Sequence, residues 1–389
     1  MSLTKQRLRE LTQLTDPLGV VSIYATIDTT QEASQRPTWW LKTYNALDEL
    51  RARVKRDGPR ELDMAVRDRL DGLVDDLDWL LEARLFGLGR ALFVALSTGR
   101  VERVAMQMPL GTRVVCEEKA YVRPLLDAWA DGSPAGIAVA GADGLRMVDL
   151  RFGVAEEVAD LRFELDTSEW TELKGPAVDN PAQGRRVAPQ YDLFDRRVEQ
   201  HLKKFLIACG GSLRTHTRQH GWEFLVVAGE PKLREAVTER LGDHFPAELV
   251  TSAQVIGPAT ANRIAEAVSA DLAAARLRRD HALADRVAGS KLSAQGVDQT
   301  LAAVQQGQAE MVLMSRDGRW SGSRSADGQF VAAGVRAPGT DGDHSVPEPD
   351  LAERIIELAL DHDSRLVMLH PEAAERIPDS EGLAAMLRW

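Results

Sequence analysis

Cysteine is almost missing from this chain. Only Cys116 and Cys209 occur in 389 residues, too few for a disulfide framework or a cysteine-built zinc site. A reducing cytoplasm is the compartment this usage implies. Long apolar runs are also missing. No stretch reaches the roughly 18 apolar residues of a membrane span, and the opening MSLTKQRLRELTQL reads as a short helix without a leader's apolar core. An excess of positive charge is missing too. The formal net charge of −11 excludes a protein that coats nucleic acid by bulk electrostatics. Enzyme signatures are scarce: no G-x-x-x-x-G-K-[ST], no G-x-S-x-G and no H-E-x-x-H occurs. No cofactor is expected. His216 and His220 stand at i, i+4 spacing, but Gly221 follows and no third ligand is evident, so no metal is expected either.

What is present fits a water-soluble globular protein with room for two or three domains, with 44% hydrophobic and 28% charged residues. Charge is uneven along it. Residues 1–130 carry 19 basic and 19 acidic groups, residues 131–270 carry 16 and 21, and residues 271–389 carry 13 and 19. Any contact with phosphate must therefore come from local patches, and the first region repels it least.

Region one opens with the β-branched run Val20–Ile27, a strand signal. Helical stretches follow at Trp39–Arg56 and Glu61–Leu81, parted by the breaker Asp57-Gly-Pro59. Three short strands at Ala91–Leu96, Val101–Met106 and Arg113–Cys116 lead to a helix at Pro124–Ala130 and a turn-rich seam, Asp131-Gly-Ser-Pro134. Region two starts as a meander: Gly136–Ala140, Leu145–Leu150 and Glu157–Glu164. A polar loop over 167–190 precedes a helix from Tyr191 to Cys209 that should stop at Gly210-Gly211. Strands at Glu223–Ala228 and Leu249–Val255 flank a helix at Lys232–Leu241. Three antiparallel strands followed by alternating helices and strands imply a mixed sheet with helices packed on it. Region three has a helix from Thr260 to about Arg279. An amphipathic helix with Val297, Leu301 and Val304 on one face follows, with Gly307 as its stop and Met311–Met314 as a buried strand. Residues 316–349 read as a long loop with one hairpin at most, ahead of a helix at Asp350–Asp361 and strands at Leu366–Leu369 and Ala384–Leu387.

Two segments carry a family resemblance. Gly296-Val-Asp-Gln-Thr-Leu-Ala-Ala-Val-Gln-Gln-Gly-Gln-Ala-Glu310 resembles the "G-hydrophobic-D-E-hydrophobic-L-K-A-L-E-x-G-A-V" segment of archaeal and eukaryotic class-one release factors and their Pelota relatives. The ending Gly382-Leu-Ala-Ala-Met-Leu-Arg-Trp389 is similar to the G-I-A-A-I-L-R-aromatic ending of Pelota-type proteins. The resemblance implies a bacterial member of this α/β (α+β) family with three domains. These would be an N-terminal α/β domain (1–132), a ribonuclease-H-like middle domain (133–275) with the long loop 167–190, and a C-terminal α/β sandwich (276–389) like the kink-turn-binding ribosomal proteins.

In that family the middle-domain loop carries Gly-Gly-Gln, which positions a water for peptide release. The counterpart here is Pro181-Ala182-Gln183-Gly184. The two glycines are absent, and proline and alanine restrict the backbone angles glycine allows. Gln183 is thus the one weak catalytic candidate, and its bland reading is a polar residue in a solvated loop. Lys174, Arg185 and Arg186 belong to the same stretch. On the following helix, Arg196 and Lys203, and Arg197 and Lys204, stand seven apart and so share nearly one face. These seven cations face four anions within 174–204, a patch suited to RNA phosphate or, alternatively, an ordinary mixed-charge surface. A second cluster, Arg51, Arg53, Lys55, Arg56 and Arg60, lies at the end of the first long helix with only Asp57 against it. It either faces ribosomal RNA or complements the helix dipole. The stop-codon motif Asn-Ile-Lys-Ser is absent from region one. Trp39-Trp40 and Tyr44 could stack on bases or pack inward.

The resemblance implies a monomeric ribosome-associated factor that occupies the A site of vacant or stalled ribosomes, in hibernation or rescue, without releasing peptide. Its implied partners are ribosomal RNA and protein, with a translational GTPase such as elongation factor Tu; no membrane and no DNA. The alternatives are a peptidyl-tRNA hydrolase or tRNA-cleaving enzyme, and an acidic interaction module unrelated to the ribosome.

Overall fold

The computed structural model describes residues 3–28, 37–165, 187–239, 241–242, 244–334, 345–377 and 380–389, apart from the side chains of 187–195. The chain forms two compact units, Met1–Gly132 together with Arg276–Trp389, and Ser133–Ala275. The fold class is the mixed α/β expected.

The first unit begins with α1 (Lys5–Thr12), whose N-cap Thr4 hydroxyl accepts the Arg7 N–H at 3.0 Å. Strand β1 (Thr15–Thr26) starts five residues before the β-branched run, across a break in register between Thr15 and Val20 that Gly19, at φ +107°, accommodates. Helices α2 (Thr38–Asp57), α3 (Arg60–Asp71) and α4 (Val74–Leu81) follow. The single helix expected over Glu61–Leu81 is broken because the Gly72 N–H turns back to the Asp68 and Arg69 carbonyls, and Leu73 folds into the core. Strands β2 (Gly89–Ala95), β3 (Val101–Met106) and β4 (Arg113–Lys119) complete an antiparallel sheet ordered β3-β2-β1-β4, ahead of α5 (Arg123–Gly132). Leu47, Leu50, Val66, Leu70 and Leu80 of the helices pack on Val21, Ile23, Leu92 and Val94 of the sheet.

The second unit holds β5 (Ala135–Gly141), β6 (Gly144–Arg151), β7 (Val154–Arg162), α6 (Val187–Ala208), α7 (Gly210–His220), β8 (Phe224–Gly229), α8 (Pro231–Thr238) and β9 (Glu248–Thr251). It also holds the first part of α9 (Ala261–Ala288). The sheet order is β7-β6-β5-β8-β9, antiparallel from β7 to β5 and parallel from β5 to β9. Such central parallel strands are buried on both faces and read as continuous apolar runs. Leu202, Leu206 and Leu213 cover one face and Ile264, Val268 and Leu272 the other. Helix α6 ends at Ala208, within a residue of the expected stop, but Gly210-Gly211 open a second helix rather than a loop. The chain re-enters a helix there because Leu213 and Thr217 are buried by it, and that burial outweighs the ~1 kcal/mol a glycine costs in a helix. The strand expected to Val255 ends at Thr251.

The rest of the first unit contains β10 (Ser293–Gln295), α10 (Val297–Gln305) and β11 (Ala309–Ser315), then β12 (Gly322–Arg324), β13 (Phe330–Ala332) and β14 (Val346–Glu348). It closes with α11 (Leu351–Asp361), β15 (Arg365–Leu369), α12 (Pro371–Ala374) and β16 (Leu383–Leu387). The second sheet is ordered β10-β16-β11-β15, with β11 and β15 parallel. Gly307, at φ +67°, ends α10 as expected: its N–H bonds the Val304 carbonyl, and the Gln308 N–H bonds that of Ala303. The long loop expected over 316–349 instead contributes a small antiparallel sheet, β13-β12-β14.

Candidate nucleic-acid interface

Helix α6 is held by its apolar side. Leu202 and Leu206 enter the core with Leu213, Trp222 and Leu225, and Phe205 meets Phe163 of the strand end at 5.7 Å between ring centres. The opposite side is left to water. Arg196, Lys203 and Lys204 are exposed there, and Arg197 is half-buried at its margin. Residues seven apart fall about 20° apart around a helix, so the two expected rows are present. Lys203 also meets Glu239 just past α8, at 3.1 Å, with both side chains half exposed. Pairs of that kind contribute little and yield readily to a stronger anion. Lys174, Gln183, Arg185 and Arg186 lie outside the described residues.

The second cluster is more neutralised than its sequence suggests. Arg51 pairs with Asp48 at 3.3 Å and with Asp71 of α3 at 3.0 Å, so Asp57 is not the only anion against the group. Arg56 pairs with Asp57 at 3.0 Å, and that hydrogen bond holds the Asp57 carboxyl below its ordinary range. Arg53 and Lys55 are exposed. Asp71 comes from another helix, and spacing along one helix could not reveal it.

The aromatic trio divides. Trp39 is a core residue with its indole N–H directed at the Leu81 carbonyl, 3.4 Å away. Trp40 and Tyr44 stack on each other at 3.9 Å and pack against the same core from its edge. The pair of histidines is occupied within the protein. His216 Nδ1 lies 2.9 Å from the Ser212 carbonyl, and the rings of His216, His220 and Trp222 lie nearly parallel in sequence, 6.0 and 5.6 Å apart. Among the described residues no group of His, Cys, Asp or Glu could hold a metal ion.

Asp149 was not singled out by the sequence. It is buried on β6 and accepts the Trp222 indole N–H at 2.6 Å and the Arg151 guanidinium at 2.5 and 2.7 Å. Trp222 in turn lies on Gly136 of β5, where a Cβ would run into the indole. A lone aspartate in a strand gives no signal of this role, because its partners are 2 and 73 residues away.

Residues 121–276 match the sequence model of bacterial archaeo-eukaryotic release factor family 10. No curated protein matches. Among solved structures the chain is similar to the archaeal translation termination factor aRF1, at 15% identity over 100% of this chain and 99% of that one, TM-score 0.26. It is also similar to Archaeoglobus fulgidus Pelota, at 12% identity over 100% and 93%, TM-score 0.32. A third likeness is to S. cerevisiae Dom34, at 7% identity over 77% and 79%, TM-score 0.40. The matched stretch contains the whole of the second unit, and through it the chain is similar to the bacterial archaeo-eukaryotic release factors.

Proposed function

We propose that this protein binds the A site of vacant or stalled ribosomes, as a hibernation or rescue factor that does not itself release peptide. Three regions, 1–132, 133–275 and 276–389, would share the task. The reading is carried by one juxtaposition. Within the stretch that matches the release-factor family, the helix following the tip segment Pro181-Ala182-Gln183-Gly184 turns Arg196, Lys203 and Lys204 to solvent. Cations placed there would track RNA phosphates beside the acceptor-end path, supplying affinity and position without sequence selectivity. Loss of the two glycines argues against peptide release, since proline and alanine cannot follow the same backbone path. The proposed partners are ribosomal RNA and protein, with a translational GTPase such as elongation factor Tu for delivery. Sucrose-gradient sedimentation of a lysate from starved cells tests the proposal. The protein should migrate with 70S ribosomes at low salt and leave them as salt rises. A protein that stays at the top of the low-salt gradient has no ribosomal role.

A further inference from the structure

Within the first unit, the segment after β4 is fastened to α11 and its surroundings by a set of polar contacts, one of them to a fully buried carboxyl. The Val122 N–H donates to Glu353 Oε1 at 2.7 Å, and the Tyr121 hydroxyl donates to Asp350 at 3.0 Å. Arg123 donates to the carbonyls of Arg316 and Gly318 at 3.0 and 2.6 Å. Lys119 meets Asp361 at 2.8 Å. Glu353 is fully buried, and its second oxygen, Oε2, has no hydrogen-bond partner among the described residues.

The surroundings offer that carboxyl little compensation for a negative charge. The cation on its own helix, Arg354, already lies 3.2 Å from Glu117 of β4, 3.7 Å from Glu348 of β14 and 2.9 Å from Glu357. Arg113 of β4 donates to the Tyr121 hydroxyl at 2.6 Å, and Arg123 of α5 is spent on carbonyls and lies 3.8 Å from Asp350. The remaining neighbours are acids and phenols: Asp350 and Glu357 flanking it, Tyr24 of β1 and Tyr121. That one guanidinium thus serves three carboxyls besides Glu353. An ionised, half-satisfied carboxylate in such a place is costly, whereas a neutral one leaves the joint intact.

We propose that Glu353 is a proton latch: neutral, it holds the 120–123 segment on α11, and on losing its proton it frees that joint. The device is separate from the ribosomal reading and stands without it. Burial pushes the Glu353 carboxyl up to about 8 and the neighbouring Glu357 up to about 7, so the latch would work close to neutral pH. The proton leaves to solvent, and the carboxylate regains water as the joint opens. One proton coupled to opening makes the opening equilibrium grow about tenfold per pH unit between the open-state pKa, near the ordinary carboxyl value, and the folded pKa, and level off above the latter.

Hydrogen exchange followed by mass spectrometry on the full chain from pH 6 to pH 9, corrected for intrinsic exchange, reads this directly. Peptides covering 117–126 and 348–361 should lose protection roughly tenfold per unit from pH 6 to about pH 8 and level off above it. A peptide from β2 in the same unit should hold its protection, separating joint opening from global unfolding. Glu353→Gln, which keeps an acceptor for Val122 but cannot ionise, should give a flat profile. A flat wild-type profile, or an unchanged slope in Glu353→Gln, overturns the latch. Should Glu353→Gln fold poorly, Glu357→Gln decides: retention of the slope, levelling off at a lower pH, supports Glu353, and loss of the slope excludes it.

Discussion

Asp149, Trp222 and Gly136 show how a single position can organise a unit. The carboxylate satisfies an indole N–H and an arginine at once, and the indole fills the space a glycine leaves open. Gly136→Ala should therefore cost about 1–3 kcal/mol, the usual range for overpacking, by displacing the Trp222 ring. Urea unfolding measures it, and an unchanged midpoint would mean that the ring has room to move. The buried acids of the other unit set a pH dependence. Asp127 is raised to about 6, Glu357 to about 7 and Glu353 to about 8, in each case first by burial. A carboxyl raised by folding favours the folded state fully below its unfolded pKa, near 4, and loses that contribution as pH climbs through the folded value. The first unit should therefore lose thermal stability progressively from about pH 4 up to about pH 8. Asp16 opposes the trend weakly: hydrogen bonds from Ser97, Leu18 and Thr98 outweigh its desolvation and hold it low, so its contribution is lost only on acidification. A melting temperature that rises from pH 6 to pH 8.5 would contradict the assignment.

Elements were legible where one signal sufficed. The α10–Gly307–β11 unit was readable because periodicity, a left-handed stop and an apolar run all agreed. Strands β2, β3, β5 and β6 also fell where short apolar runs placed them. Missed features shared a cause, namely partners distant in sequence. The break at Gly72 depends on where Leu73 packs, and α7 forms through two glycines because Leu213 needs a core. The small sheet β13-β12-β14 pairs residues across 335–344, which no local pattern encodes. For the candidate interface, the cationic face of α6 was legible from spacing alone. The pairing of Lys203 with Glu239 and of Arg51 with Asp71 was not. On α6, Leu206→Ala should cost about 2–5 kcal/mol, because this fully buried residue fixes the helix to the sheet. Reversing charge at Arg196 and Lys204 should leave stability within about 0.5 kcal/mol. It should weaken ribosome binding and reduce its log-salt slope by about one for each phosphate contact removed. Equal binding by wild type and the double reversal would reduce this face to solubility.

At the scale of the whole molecule, the two units have separate cores. Scanning calorimetry should resolve an effect of Glu353→Gln at high pH confined to the melting of one of them. A single transition displaced as a block would show that the units melt together. The non-catalytic reading is also tested at this scale. Peptidyl-tRNA on purified ribosomes should keep its ester when the protein is added. Ester loss with wild type but not with Gln183→Ala would assign hydrolysis to the loop.

The joint between Val122 and Glu353 spans 231 residues of chain. On a translating ribosome at roughly 5–20 residues per second, the Val122 donor emerges about 10–50 s before its acceptor is made. The middle unit, Ser133–Ala275, is complete within that interval and can fold first. The N-terminal sheet, whose core comes wholly from residues 18–116, can form as well, but Tyr121 to Arg123 stay uncovered until α11 is made. A chain halted before α11 would therefore present this unfinished seam to chaperones and proteases.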